Sequence, residues 1–375
     1  MRVPKPSNGP DMTDLRAAAR AVAAYGLPGT TTELPRGPMA DDAWAALIGA
    51  ARAQRMSGHL AHAIARRDLV VTETQLEEAG DSHLHEMSLA LLLERTLLEV
   101  VDLFESLRIP YRVLKGSALA HLDYADPSLR SFGDIDLLVP SSHFDAAVGG
   151  LSAAGHRRRF PEPRPGFDRR FGKGTSFSDA DDTEIDLHRT FVLGPYGLSI
   201  RLDDLWSSSS SFVLAARTIH ALRPEHRLLN ACYHAVLGNT PPRLVPLRDI
   251  AELLLAGDID VDEVRRLAAD WRAEAVLALA VRSTWDAFAL ADATALSFWA
   301  YRYEPEPWER RALAVYKRPD TGYAARSLAA VRAIQGASNK VAFVRALVFP
   351  RRDYLEGRHA SFTQRWRRGL RDLKR

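Results

Sequence analysis

Residues 133–140 read GDIDLLVP. A β-strand sends alternate side chains to opposite faces, so Asp134 and Asp136 stand on one face while Ile135 and Leu137 point into the packed side. Two carboxylates held this close repel, and each raises the other's pKa unless a cation sits between them. A divalent metal meets that need. The alternative has one aspartate ending a loop and the other solvated at a strand edge. The octapeptide does not choose between them, so its flanks must.

Upstream, IPYRVLKG at 109–116 is a short β-branched and aromatic run stopped by glycine, and SALAHLDY after it is helical in character. Gly116-Ser117 therefore follows a strand and opens a helix, where backbone N–H groups and a hydroxyl are offered to an anion. A Gly-Ser pair at such a place is also common as a plain turn. Downstream, SSHFDAAVGGLSAAG reads as a helix with Ser141 or Ser142 as N-cap and Gly155 past its end. RRFGKGTSFSD and TEIDLHRTF read as a strand pair around a polar turn at 180–182. In the second of these, Asp186 shares a face with Glu184 and His188. If that strand lies beside GDIDLLVP, Asp134, Asp136 and Asp186 converge at one sheet edge. Three such carboxylates suit two Mg²⁺ or Mn²⁺ ions rather than zinc. The predicted unit is a small α/β core over 109–206.

A chain of 375 residues, 46% hydrophobic and 26% charged, has enough apolar content for a sizeable core, which excludes the disordered and fibrous classes. Cys232 is its single cysteine, so an internal disulfide framework is excluded and a reducing, cytoplasmic compartment is expected. The apolar setting LLNACYHAVL predicts a buried structural thiol. The longest apolar runs, such as AVLALAV at 275–281, are too short for a membrane span. No charged segment followed by an apolar one opens the chain, so no secretory signal is expected.

Net charge is only +3, and six of the 50 basic residues are lysine, a bias that fits genomic base composition. Arg157, Arg158 and Arg159 form one basic cluster, and RWRRGLRDLKR from Arg365 forms another. They read as solvated helix ends or as a nucleic-acid or membrane patch; sparse aromatic interleaving weighs against nucleic acid.

Residues 1–12 have the composition of a disordered segment, and 13–108 read as helical. DDAWAALIGAARAQRMSGHLAHAIAR puts Trp44, Leu47, Ile48 and Ala51 on one stripe. The stretch 82–107 repeats Leu84, Met87, Leu91, Leu98 and Val101 at helical spacings. The serine run at 207–211 marks a loop or hinge, and 212–375 reads as a helical domain ending in a basic amphipathic tail.

Taken together, LKGSALAHLDYADPSLRSFGDIDLLVP, TEIDLHRTF and PEHRLLNACYHAVLGNTPPRLVPLRDIAELL resemble the uncharacterised nucleotidyltransferase family, bacterial members of the polymerase-β-like nucleotidyltransferase superfamily. The resemblance covers most of the chain. Its specificity lies in the combined order: Gly-Ser, Arg, Asp-x-Asp, then a lone Asp in an Asp-Leu-His strand. It implies an α+β fold with a small mixed sheet flanked by N- and C-terminal helical regions. It also implies Mg²⁺- or Mn²⁺-dependent transfer of an NMP unit from an NTP, with ATP the first candidate, to an acceptor hydroxyl with release of pyrophosphate.

By the same resemblance, Gly116 and Ser117 would cradle the β- and γ-phosphates and Asp134 and Asp136 would hold both metals. Asp186 would hold the catalytic metal and help accept the hydroxyl proton. Lys115 and Arg130 are the nearest cations for the triphosphate. Arg130 could instead pair with one of the aspartates, and Lys115 could be a solvated edge residue. His188 would stand behind the metal ligands or touch substrate, or serve as a satisfied structural histidine. His234 and Asp249 match helical positions of the family that would reach the nucleotide across a cleft, with capping or packing as the alternative. One departure is the spacing of Ser117 and Asp134, seventeen positions and longer than in many superfamily members, which leaves open how Ser117 meets the triphosphate. The acceptor could be a small metabolite, a peptide hydroxyl or an RNA 3′ end. The competing expectation is a catalytically inactive nucleotide-binding scaffold, or an adaptor with a basic tail; the presence of all three carboxylates weighs against it.

Overall fold

The computed structural model describes residues 12–238, 242–317 and 329–356. The expectations for residues 1–11 and for the basic tail from Arg365 lie outside the described residues.

Four helices lead the chain: α1 (Met12–Ala24), α2 (Asp41–Gln54), α3 (Ser57–Ala65) and α4 (Glu73–Ser106). Trp44, Leu47, Ile48 and Ala51 form the buried stripe of α2, at the spacing the sequence predicts. Thr72 and Gln75 close a capping box at the start of α4, each side chain bonding the other's backbone N–H. The apolar stripe expected on α4 holds at Leu98 and Val101, which pack in the core, and is corrected at Leu84 and Leu91, which are 65% and 63% exposed. Its buried line instead runs through Ala79, Ser82, Ala90, Leu93, Leu97, Val100, Val101 and Phe104. The reason is a change of partner along 34 residues. The first half meets α3 through small side chains, with Ser57 Oγ 3.1 Å from Ser82 Oγ, and the second half faces the apolar core under the sheet.

Among the described residues seven strands follow: β1 (Arg112–Val113), β2 (Ile135–Leu138), β3 (Arg157–Arg158), β4 (Gly174–Ser178), β5 (Glu184–His188), β6 (Ser210–Leu214) and β7 (Arg217–Ala221). They form one mixed sheet in the order β3-β4-β5-β2-β1-β7-β6, in which β2 runs parallel to β5 and β1 parallel to β7. The fold class is α+β. The hairpin β6–β7 corrects the expectation that everything after the serine run is helical. Its segments SSFVL and RTIHA bury alternate residues, but Ala215 and Ala216 make the turn with φ of 45° and 64°. Tight hairpins of this kind normally announce themselves by Asn-Gly or Asp-Gly, and two alanines give no such signal.

Helix α6 (Phe144–Ala153) is also corrected at its start. Its N-cap is His143, without a side-chain cap bond, because a turn from Pro140 (His143 N to Pro140 O, 2.9 Å) occupies Ser141 and Ser142 first. The arginine cluster is not a solvated helix end. Arg157 and Arg158 form the edge strand β3, and Arg157, Arg158 and Arg159 pair with Asp182, Asp168 and Glu184.

One face of the sheet carries Ile135, Leu137, Phe177, Ile185, Leu187 and Ile219 against Leu97, Val101 and Phe104 of α4 and Phe144 and Leu151 of α6. Each such fully buried aliphatic contributes about 1.5–3 kcal/mol relative to exposure. The chain adds the short helices α7 (Phe167–Phe171) and α8 (Pro195–Ser199). The other face turns Leu114 and Leu138 toward a helical layer containing α9 (Pro224–Leu237), α10 (Leu244–Leu255), α11 (Val261–Asp270) and α12 (Glu274–Phe288). Helices α1, α2 and α3 belong to that same core. Arg248 of α10 donates to the carbonyls of Ala23 and Tyr25, both at 2.8 Å. The leading and following helices thus pack as one layer over the sheet. Within that layer Cys232 is fully buried, and burial pushes its thiol pKa up.

Candidate active site

The parallel pairing of β2 with β5 sets Asp136 opposite Asp186 and Leu138 opposite His188. All four point at the helical layer, because their odd-numbered neighbours fill the α4 side. Asp136 is 2% exposed. His188 Nε2 lies 2.8 Å from Asp136 Oδ1 and 3.9 Å from Asp186 Oδ2. One ligand atom each from Asp136, Asp186 and His188 falls within 4.8 Å of the others. Two carboxylates and an imidazole at that spacing fit one divalent cation.

Asp134 stands just before β2 and joins the group through a cation. Lys115 Nζ is 2.8 Å from Asp136 Oδ2 and 3.4 Å from Asp134 Oδ2. Burial by itself would lower the Lys115 pKa, but Asp136 and Asp134 outweigh it and hold the ammonium charged. Burial would likewise raise Asp136, yet Lys115 and His188 carry its carboxyl far below the usual range. Lys115 is therefore the counter-charge of the aspartate pair and not a solvated edge residue.

Gly116 follows with φ 60° and ψ −114°, and a Cβ there would meet Phe132 at 3.2 Å. Glycine is favoured on both counts. Its neighbour Ser117 opens α5 (Ser117–Leu122) but is only 4% exposed, and its hydroxyl donates to Glu94 Oε1 at 2.8 Å. His121 Nε2 lies 2.8 Å from the same oxygen. The Ser117 hydroxyl thus turns to α4 and not to the strand aspartates: a partly buried carboxylate on α4 needs donors, and these two side chains supply them.

Arg130 and Asp249 meet each other. Arg130 Nε and Nη2 donate to the two Asp249 oxygens at 2.6 and 2.9 Å, and Tyr124 Oη donates to Oδ1 at 2.8 Å. Both charged residues are nearly fully buried. Arg130 therefore pairs with a carboxylate on α10 and with neither strand aspartate, and Asp249 holds a layer contact. A bidentate buried pair of this kind fixes where α10 sits on the sheet. His234 of α9 lies near the site. Burial first, then Lys115, Arg130 and Lys173, push its pKa down to about 3 against the pull of Asp136, so the imidazole is neutral at neutral pH.

Three groups escaped sequence reasoning. Ser176 on β4 is the register partner of Asp186 and donates to its Oδ1, and Lys173 Nζ stands 3.9 Å from Asp186 Oδ2. Arg55, at the end of α2, reaches Gly133: a Cβ on that glycine would overlap the guanidinium. Strand alternation could have put Ser176 on a site face only if the antiparallel register with Asp186 were known. Nothing local marks Arg55.

Among the described residues, no helix is long and apolar enough to cross a membrane.

Three solved structures show a distant likeness. A lincomycin-bound lincosamide antibiotic adenylyltransferase, LnuA, is 19% identical with a TM-score of 0.28, covering 43% of this chain and 95% of its own. The solution structure of the antibiotic-resistance factor ANT(2'')-Ia is 16% identical with a TM-score of 0.33, covering 48% and 91%. A nucleotidyltransferase-like protein from Paracoccidioides brasiliensis is 14% identical with a TM-score of 0.30, covering 57% and 95%. TM-scores this low do not bear on substrate or mechanism. Comparison with curated proteins finds no match. The sequence model of the family described as "Uncharacterised nucleotidyltransferase" matches residues 40–288, about two thirds of the chain, a span that holds the sheet, both strand aspartates, Asp186, His188, His234 and Asp249. The chain belongs to that uncharacterised nucleotidyltransferase family.

Proposed function

We propose that the protein is a Mg²⁺- or Mn²⁺-dependent nucleotidyltransferase that moves an NMP unit from an NTP to an acceptor hydroxyl. The acceptor oxygen bonds to the α-phosphorus, the bond from that phosphorus to the β-bridging oxygen breaks, and pyrophosphate leaves. The observation that carries this reading is the register of Asp136 with Asp186 in a side-chain cluster that also holds His188 and Lys115.

Asp136, Asp186 and His188, with Asp134 beside them, would hold the metal, which when bound supplies charge to the phosphate oxygens and lowers the pKa of the attacking hydroxyl. Asp186 is the residue placed to receive the hydroxyl proton. It is more accessible than Asp136, and Ser176 fixes one of its oxygens while the other lies 3.9 Å from both His188 Nε2 and Lys173 Nζ. His188 orients Asp136 through the 2.8 Å contact. Lys115 neutralises the aspartate pair and then lies beside the triphosphate. The backbone at Gly116, freed of a Cβ, lets phosphate oxygens approach. His234 stays neutral and offers a ring nitrogen to the nucleotide. The acceptor enters between the sheet and the helical layer, since junctions between packed layers are the usual small-molecule clefts. Positioning and electrostatics are the protein's main contributions to such a transfer.

Thermal unfolding of the whole chain with each of the four NTPs, with and without Mg²⁺, tests the reading. A ligand at one hundred times its Kd adds about 2.7 kcal/mol and shifts the midpoint by several degrees. A shift that needs Mg²⁺ and disappears in Asp136→Asn supports it. No shift with any NTP would overturn it in favour of the inactive scaffold.

A further inference from the structure

A cavity of about 590 Å³ opens between α2, α4 and the start of α10, and Arg55, whose guanidinium lies over Gly133, is part of its lining. Arg52, Arg55 and Arg243 line it, with Asp81, His85 and Glu86. Two of these groups already have partners: Arg52 Nε donates to Ser82 Oγ at 2.9 Å, and Ser57 Oγ donates to Glu86 Oε1 at 2.6 Å. Arg55 is different. It is half-buried, yet among the described residues its guanidinium makes no hydrogen bond or ion pair. Asp134 and Glu86 are the carboxylates whose charge reaches it, and Arg130 and Arg243 add positive charge from the other sides.

The backbone makes the choice of arginine more pointed. Arg55 caps α2 with φ 56° and ψ 46°, the left-handed conformation in which helices usually end on glycine. An L side chain here is tolerated at a cost in stability, and what it brings is a five-donor fork laid over Gly133. A Cβ on Gly133 would lie 2.3–2.8 Å from the guanidinium atoms, so that glycine leaves room for it. Planar guanidinium forks match phosphate oxygens in bidentate geometry.

We propose that Arg55, with Arg52 and Arg243, forms a phosphate-binding subsite in this cavity and holds a substrate phosphate group next to Asp134. The inference rests on the nucleotidyltransferase reading. Phosphate can come from two sources, the β,γ-phosphates of the NTP or a phosphate carried by the acceptor, and the test separates them.

Calorimetric titration of the full chain with inorganic phosphate, pyrophosphate, MgATP and AMP compares wild type with Arg55→Gly, Arg55→Ala and Gly133→Ala. Glycine suits the left-handed backbone, so Arg55→Gly unfolds at the same or a higher temperature than wild type, and any loss of binding in it is not a folding defect. Gly133→Ala keeps the arginine and drives its head aside. The expected result is about a tenfold or greater loss of pyrophosphate or phosphate affinity in all three variants. If MgATP weakens by the same factor while AMP does not, the subsite takes the NTP tail. If MgATP affinity holds and inorganic phosphate loses affinity on protein saturated with a non-hydrolysable ATP analogue, it takes an acceptor phosphate. If wild type binds MgATP through Asp136 but the Arg55 variants match it in every titration, this inference fails and the reading beneath it stands. If wild type binds no NTP, the reading itself fails.

Discussion

Asp136 and Asp186 are register partners on adjacent parallel strands, and both reach one imidazole, His188. Removing either carboxylate therefore breaks the same three-group cluster. Asp136→Asn and Asp186→Asn are each expected to lower nucleotide transfer by roughly 100-fold or more, the scale on which loss of one preorganised electrostatic group acts. Ser176→Ala, which frees one Asp186 oxygen, should cost about 10–100-fold. Pyrophosphate release under saturating NTP measures all three. Full activity in Asp186→Asn would remove that residue from the chemistry.

Arg130 and Asp249 should behave as a structural pair. Asp249→Ala strands a buried guanidinium and is expected to destabilise by about 3–5 kcal/mol in urea unfolding. Replacing both, Arg130→Met with Asp249→Leu, should restore most of that loss and leave MgATP affinity unchanged. A double variant that folds well and no longer binds nucleotide would return Arg130 to the triphosphate.

Gly116→Ala tests the turn before α5. The backbone there lies at positive φ, and the added methyl presses on the Phe132 ring. A loss of about 1–3 kcal/mol is expected, with a drop in MgATP affinity because Lys115 precedes the same turn. An alanine variant as stable as wild type would show that the turn relaxes without cost.

Acid should destabilise the fold through its buried histidines. His226 is fully buried against Trp271, and burial followed by Arg223 pushes its pKa from 6.5 down to about 4. The native imidazole stays neutral while the unfolded one takes up a proton. Its stability contribution is therefore complete above pH 6.5 and declines as pH falls toward 4, by up to ~1.4 kcal/mol per pH unit. His226→Phe should flatten the fall of the urea midpoint between pH 6.5 and 4, with His59, His83 and His234 contributing to what remains. An unchanged slope would contradict the assignment.

The sequence was most informative where side chains alternate with the backbone. Asp134, Asp136, Asp186 and His188 could be placed on one face from period two alone, and the strand pair around 180–182 from its polar turn. What period two cannot supply is register, and so Ser176 went unseen. Pairings across long sequence separations were equally hidden: Arg130 with Asp249, Ser117 with Glu94 and Arg55 over Gly133 depend on how the helical layer docks, which no local pattern encodes. The β6–β7 hairpin was lost because its turn uses two alanines at positive φ. On α4, the leucine spacing points away from the face that packs on α3, where small residues lie, so Leu84 and Leu91 are exposed.

The proposed chemistry requires Asp136, Asp186 and their neighbours to hold a divalent metal together with an NTP. Electron paramagnetic resonance of Mn²⁺, titrated into the full chain with and without a non-hydrolysable ATP analogue, measures it directly. Tight, nucleotide-dependent loss of the free Mn²⁺ signal in wild type, abolished in Asp136→Asn, is the predicted result. Wild type that takes up no Mn²⁺, or an Asp136→Asn variant that takes it up equally well, would contradict the account.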